Sequence, residues 1–290
     1  MSLIENALRK LQGSRPEVGA AHPTGSAVAG ATAATRKKKV AIEGPKFHVA
    51  QDSLVKSGLL APPEAAARVA DEFRRIKRPL ITNAFEAVPV NTVQYQNVIM
   101  VASALPNAGK SFCALNLALS LSLERELNVL LVDADVGKRH ITRACGLSDN
   151  AGLIDLLVEE GRDIQEFLVR TDMNDIQILP SGRSHPQATE LLASERMSSL
   201  IGELSTRYAD RIVLFDSPPL LITNEAQALS SHVGQVAFVV EAGQTTPQQL
   251  TQALDFLEKT RPINIILNKS QAWGWDRFGD YSGDYSYGHE

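Results

Sequence analysis

Between residues 95 and 268, short apolar runs rich in β-branched residues alternate with longer segments of helical periodicity. The runs fall at 97–103, 128–133, 176–179, 211–216, 235–240 and 263–268, with helical segments near 110–124, 188–207 and 246–260. Strands that are apolar almost throughout, rather than at alternate positions, need cover on both faces. Joined through helices, they predict an α/β fold, a mainly parallel twisted sheet with helices on both sides. The sequence contains no internal repeat.

At 290 residues, 44% apolar and 21% charged, the chain can bury a sizeable core without a disulfide or metal staple. A formal charge of −4 argues against nucleic acid as its main partner. Cys113 and Cys145 lack metal or redox spacing, which suits a reducing compartment. No run approaches the roughly 18 unbroken apolar residues of a membrane helix, and the first residues do not read as a signal peptide, so a cytoplasmic chain is expected.

The two ends differ from the middle. Residues 1–12 read as a short amphipathic helix, with Leu3, Ile4, Ala7, Leu8 and Leu11 at helical spacing. Residues 13–47 are expected to form a flexible linker: 18 of the 23 residues at 13–35 are Gly, Ala, Pro, Ser or Thr, and the basic run 36–39 follows. A second amphipathic helix is predicted over 62–80, with Val69, Phe73, Ile76 and Leu80 as its stripe. The globular domain is expected over 62–269. After Lys269 periodicity stops, and residues 270–290 read as a disordered tail. Three of the five tyrosines (Tyr281, Tyr285 and Tyr287) and both tryptophans (Trp273 and Trp275) lie there.

The first run leads into Ala104-Leu105-Pro106-Asn107-Ala108-Gly109-Lys110-Ser111, and a helix follows. This octapeptide resembles a P-loop, GxxxxGK[ST], with Ala104 at the first glycine position. Gly109 lets the backbone curl around a phosphate, and amides at the helix start point at the anion. Lys110 can neutralise phosphate charge and the Ser111 hydroxyl can ligate Mg2+. The loop Pro106, Asn107, Ala108, Gly109, Lys110, Ser111 and Phe112 is therefore the candidate nucleotide cradle. Asp133 and Asp135 (VLLVDAD) lie at the end of the next run, where parallel sheets bind ligands. The run IVLFDSPP ends in Asp216 and reads as a Walker B strand. Three such elements in order predict nucleotide binding.

Together the loop, VDAD and FDSPP resemble the bacterial tyrosine kinases of polysaccharide export, relatives of the MinD/ParA ATPases; the likeness spans roughly 65–290. MSLIENALRKLQ, a variable linker and EFRRIKRPL are similar to the stand-alone, exosortase-associated tyrosine autokinases. The resemblance implies that Asp133 and Asp135 form the second Walker motif and Asp216 the Walker B carboxylate. It implies that Glu72, Arg75 and Arg78 match an ExxRxxR motif for ring-like self-association, and that 188–192 matches an ELL helix. Asn268 would hydrogen-bond adenine, and Tyr281, Tyr285 and Tyr287 would be phosphorylated on a neighbouring subunit. Ala104 and Asn107 stand where the family commonly has glycine, and Gly137 where it often has arginine.

The expected activity is an ATP- and Mg2+-dependent protein-tyrosine autokinase acting in exopolysaccharide synthesis or export. Lys110 would neutralise the phosphates, Ser111, Asp135 and Asp216 would serve the metal, and Asp133 would accept the tyrosine proton. A membrane-anchored chain-length regulator is the expected activating partner, recruiting the chain to the inner face of the membrane. A MinD/ParA-like ATPase is the alternative, although it normally carries a lysine where Leu105 stands. A nucleotide-binding scaffold that sets polysaccharide chain length without kinase activity is another.

Overall fold

A computed structural model describes residues 44–85, 95–207 and 210–270. The N-terminal helix and most of the linker expected at 1–47, and the tail tyrosines Tyr281, Tyr285 and Tyr287, lie outside the described residues.

The elements run α1 (Gln51–Lys56), α2 (Pro63–Phe85), β1 (Val98–Ser103), α3 (Lys110–Ser122), β2 (Asn128–Asp133), α4 (His140–Ala144) and α5 (Leu153–Val158). A 3-10 turn at Ile164–Phe167 leads to β3 (Val169–Arg170) and β4 (Gln177–Leu179). Then follow α6 (Ala188–Leu192), α7 (Glu195–Arg207), β5 (Arg211–Asp216), α8 (Asn224–Ser230), β6 (Gln235–Glu241), α9 (Pro247–Asp255) and β7 (Ile263–Asn268). The strands form one sheet in the order β3-β4-β2-β5-β1-β6-β7. Every pairing is parallel except β3 with β4 at one edge.

All six predicted strands are present, and β1, β2 and β5 are buried at every position. Alternation decides which face each residue serves. Val98, Met100 and Ala102 of β1 join the core under α5 to α9, whereas Ile99 and Val101 join the core under α1 to α4. Each fully buried leucine or phenylalanine contributes about 1.5–3 kcal/mol, so this two-faced burial supplies the main driving force.

The helices depart from expectation where packing or a cap overrides periodicity. Helix α2 continues past Pro79 to Phe85 instead of stopping at residue 80, because Ile81 and Phe85 still pack on the core. The segment 188–207 divides at Ala193 and Ser194, where the Ser194 hydroxyl accepts the Met197 N–H at 3.2 Å and starts α7 anew. Helix α9 opens on Pro247, capped by Thr246 and Gln249, and ends at Asp255, earlier than the predicted 260.

Residues 44–60 strap the β3 edge. Phe47 bridges Thr171, the Val49 N–H donates to Asp172 at 3.1 Å, and Leu54 and Leu59 are buried. At the opposite edge β7 pairs only with β6 among the described residues, leaving Ile265 and Leu267 exposed. Helix α2 is fastened to α3 by Lys77, which is 7% exposed, donates to the Ser120 carbonyl at 2.7 Å and meets Glu124 at 2.7 Å. Phe73 packs on Phe112 one turn into α3, with ring centres 6.1 Å apart.

Candidate nucleotide-binding site

The P-loop-like segment connects β1 to α3, and its backbone matches its sequence. Gly109 caps α3 with φ +94°, and a Cβ there would lie 2.0 Å from Asn268 Nδ2, so only glycine fits. Asn107 also adopts left-handed backbone, at φ 66°, a conformation asparagine tolerates better than most residues. Ala104 is buried and has no left-handed φ, so the missing first glycine imposes no backbone strain. Asn268, at the end of β7, reaches across the sheet and donates to the Ala108 carbonyl at 2.9 Å.

These residues border a cleft of ≈ 370 Å3. Of the residues named from the sequence, Asn107, Gly109, Lys110, Ser111, Phe112, Asp135 and Asn268 line it, whereas Pro106, Ala108, Asp133 and Asp216 do not. Lys138, His140, Lys269, Gly58 and Leu59 line it too, and sequence reasoning did not find them. Lys138 donates to the Asn107 side chain at 3.3 Å, and Lys269 donates to the Asn107 carbonyl at 2.7 Å. Two lysines outside the motif thus brace the loop. Leu59 arrives with the strap, its carbonyl accepting from Asn116 of α3 at 2.9 Å.

Three carboxylates meet below the loop. Strand register sets Asp133 directly beside Asp216 at the ends of β2 and β5, and both are wholly buried; Asp135 lies two residues on, at the cleft. Asp133 Oδ2 accepts the Thr142 N–H at 2.8 Å and the Thr142 hydroxyl at 2.7 Å, whereas Oδ1 has no hydrogen-bond partner among the described residues. Neither oxygen of Asp216 has a hydrogen bond of full geometry among the described residues, the Ser111 hydroxyl being the donor that acts on it. Burial pushes Asp133 up to about 6, against the Thr142 hydrogen bonds that favour its charged form. Burial and the charge of Asp133 push Asp216 up to about 8, with the Ser111 hydroxyl and Lys110 acting in the opposite sense. Lys110 is 6% exposed; burial pulls it below the usual lysine range, opposed by Asp216 and Asp135. Carboxylates whose charged forms are disfavoured by burial and by one another suit a site completed by cations.

The remaining sequence candidates fall elsewhere. Gly137 leaves room for a side chain, since a Cβ would meet only Asp135 Oδ1 at 3.9 Å. Glu72, Arg75 and Arg78 are exposed on α2, and Glu72 faces Arg68 at 3.8 Å. Both cysteines are buried with thiols pushed up to about 12 by burial, so neither offers a thiolate. Among the described residues no helix is long and apolar enough to cross a membrane.

A parallel sheet with a glycine-lysine-serine loop at a helix start and paired strand-end aspartates defines a P-loop nucleotide-binding domain. A family model described as an AAA domain matches residues 96–268. The chain is 30% identical over 185 residues to the tyrosine-protein kinase YwqD of Bacillus subtilis, covering 63% of this chain and 76% of the relative. It is 33% identical over 198 residues to the succinoglycan biosynthesis transport protein ExoP of Rhizobium meliloti, covering 66% of this chain and 25% of the relative. The VpsO kinase domain superposes with a TM-score of 0.59 at 26% identity, covering 72% of this chain and 100% of that domain. The chain belongs to this AAA-domain family and, within it, to the bacterial tyrosine kinases. It spans only about a quarter of the length of ExoP and of the Salmonella typhimurium tyrosine-protein kinase wzc.

Proposed function

We propose that the protein is an ATP-dependent protein-tyrosine autokinase that phosphorylates Tyr281, Tyr285 and Tyr287 of a neighbouring copy and thereby regulates exopolysaccharide synthesis or export. The observation that carries this reading is the cleft itself, lined by Lys110 and Asp135, together with Asp133 and Asp216 buried side by side at the ends of β2 and β5. Phosphoryl transfer rests on positioning and charge neutralisation more than on covalent chemistry, and this arrangement supplies both. Family membership supports tyrosine as the acceptor, and the name of ExoP supports the polysaccharide setting.

In this reading the amides of residues 106–112 cradle the phosphates, Lys110 neutralises charge on the transferred group, and Asn268 holds the base beside the loop. Asp133 accepts the proton from the tyrosine hydroxyl. The donor set fits Mg2+: it is all oxygen, and both Asp216 oxygens are buried without a hydrogen bond of full geometry among the described residues. Ser111, Asp216 and Asp135 would hold the ion. Bound there, it would supply neutralisation of phosphate charge. Glu72, Arg75 and Arg78, exposed on α2, would dock a neighbouring copy into a ring. A membrane-anchored chain-length regulator would recruit and activate the assembly.

The test is phosphotyrosine formation by purified protein with Mg-ATP, with and without a cytoplasmic segment of such a regulator. Wild type is expected to incorporate phosphate, while Lys110→Met and the Tyr281/Tyr285/Tyr287→Phe triple variant are not. ATP hydrolysis without phosphotyrosine in either condition would overturn the kinase reading in favour of a positioning ATPase.

A further inference from the structure

Asp133 is held from one side only. Both hydrogen bonds to its carboxylate come from a single residue, Thr142, and both go to Oδ2. Thr142 is itself fixed: its Oγ1 accepts the Ser181 N–H at 2.9 Å, and the Ser181 hydroxyl accepts from Arg139 Nε at 2.9 Å. The Thr142 hydroxyl thus accepts from Ser181 and gives its proton to Asp133 at 2.7 Å, its other acceptor, the Ser181 hydroxyl, lying further off at 3.3 Å. The residue is fully buried, so water cannot substitute for either bond. The result is a carboxylate with one oxygen saturated and the other, Oδ1, lacking any partner among the described residues.

We infer that Thr142 is a positioning residue for phosphoryl transfer, fixing the orientation of the Asp133 carboxylate through its two hydrogen bonds to Oδ2. The inference rests on the kinase reading above, in which Asp133 takes the proton. Thr142→Val keeps the side-chain shape and removes the hydroxyl. It is expected to lower kcat for phosphotyrosine formation by at least ~10-fold while the Kd for a fluorescent ATP analogue stays within ~2-fold, since the cleft wall is untouched. Thr142→Ser, which restores the hydroxyl, is expected to recover kcat to within ~3-fold of wild type. In an Asp133→Asn background, measured as residual activity, Thr142→Val should cost nothing further. Thr142→Ala carries the same expectations and serves if the valine variant does not fold, as judged by thermal melting. A wild-type kcat in a folded Val or Ala variant, a parallel fall in kcat and nucleotide affinity, or a loss that persists in the Asp133→Asn background would each overturn the inference. Absence of phosphotyrosine from wild type itself, with the regulator segment present, would instead overturn the kinase reading and this inference with it.

Discussion

Asp155 and Asp216 are both carboxylates withdrawn from water, at 4% and 0% exposure, and the protein treats them in opposite ways. Asp155 starts α5 and accepts the Gly152 N–H at 2.9 Å, the Arg183 N–H at 3.0 Å and the Arg183 guanidinium. Those bonds hold it below the usual carboxylate range although burial alone would raise it. Gly152 permits the packing, because a Cβ there would lie 2.0 Å from the Pro180 carbonyl. Asp216 has no such clasp and is pushed up to about 8. A satisfied buried carboxylate holds a loop in place. An unsatisfied one stores an unmet demand for cations, and it stands beside Asp133 at the strand ends.

The sharpest break between the two is in turnover. Asp216→Asn is expected to lower phosphotyrosine formation at least ~100-fold, while Asp155→Asn leaves the rate per folded molecule within ~2-fold. Equal losses would erase the distinction. Stability should run the other way: Asp155→Ala strands one buried and one part-buried backbone donor and is expected to cost about 2–3 kcal/mol in denaturant unfolding, whereas Asp216→Asn costs nothing.

The pH dependence separates them further. With its folded value raised to about 8 against an ordinary value of 3.8, Asp216 binds a proton in the folded state that the unfolded chain has released, so its contribution to stability is lost as pH rises from about 4 to 8. The melting temperature of Asp216→Asn should therefore gain on wild type steadily from pH 5 to 8. Asp155, held low, contributes above its ordinary value and loses that contribution as pH falls below about 4. The deficit of Asp155→Ala should narrow there. The smallest effect is expected from Arg183→Ala. That side chain is 73% exposed and both backbone donors to Asp155 remain, so melting should shift by no more than about 2 °C.

Much of this was legible from residue order. Continuous apolar runs gave the six predicted strands, and the position of Asp133, Asp135 and Asp216 at strand ends followed from the runs themselves. Gly109 and Lys110 declared the loop. Short elements escaped because α1, α4 and α5, each of five or six residues, are shorter than two helical turns and carry no period to detect. Thr142 escaped for a different reason. Nothing in its neighbours marks a threonine whose two donors close on a carboxylate nine residues earlier, a contact made only when α4 folds back on β2. Lys138 and Lys269 are cleft residues by virtue of tertiary approach, and a lysine beyond a motif looks like any solvated charge. Asn107 was legible in kind: asparagine is among the few residues suited to the left-handed conformation it occupies.

The two edges of the sheet differ in what they permit to happen between molecules. On one side β3 runs antiparallel to β4, and the strap engages the Arg170 carbonyl at 2.7 Å and the Asp172 N–H at 3.0 Å through Phe47, so a foreign strand meets groups already bonded there. On the other, β7 carries exposed Ile265 and Leu267 and pairs on one side only among the described residues. Among the described residues, then, the hydrogen-bonding groups free to meet another strand are concentrated along β7 and not along β3.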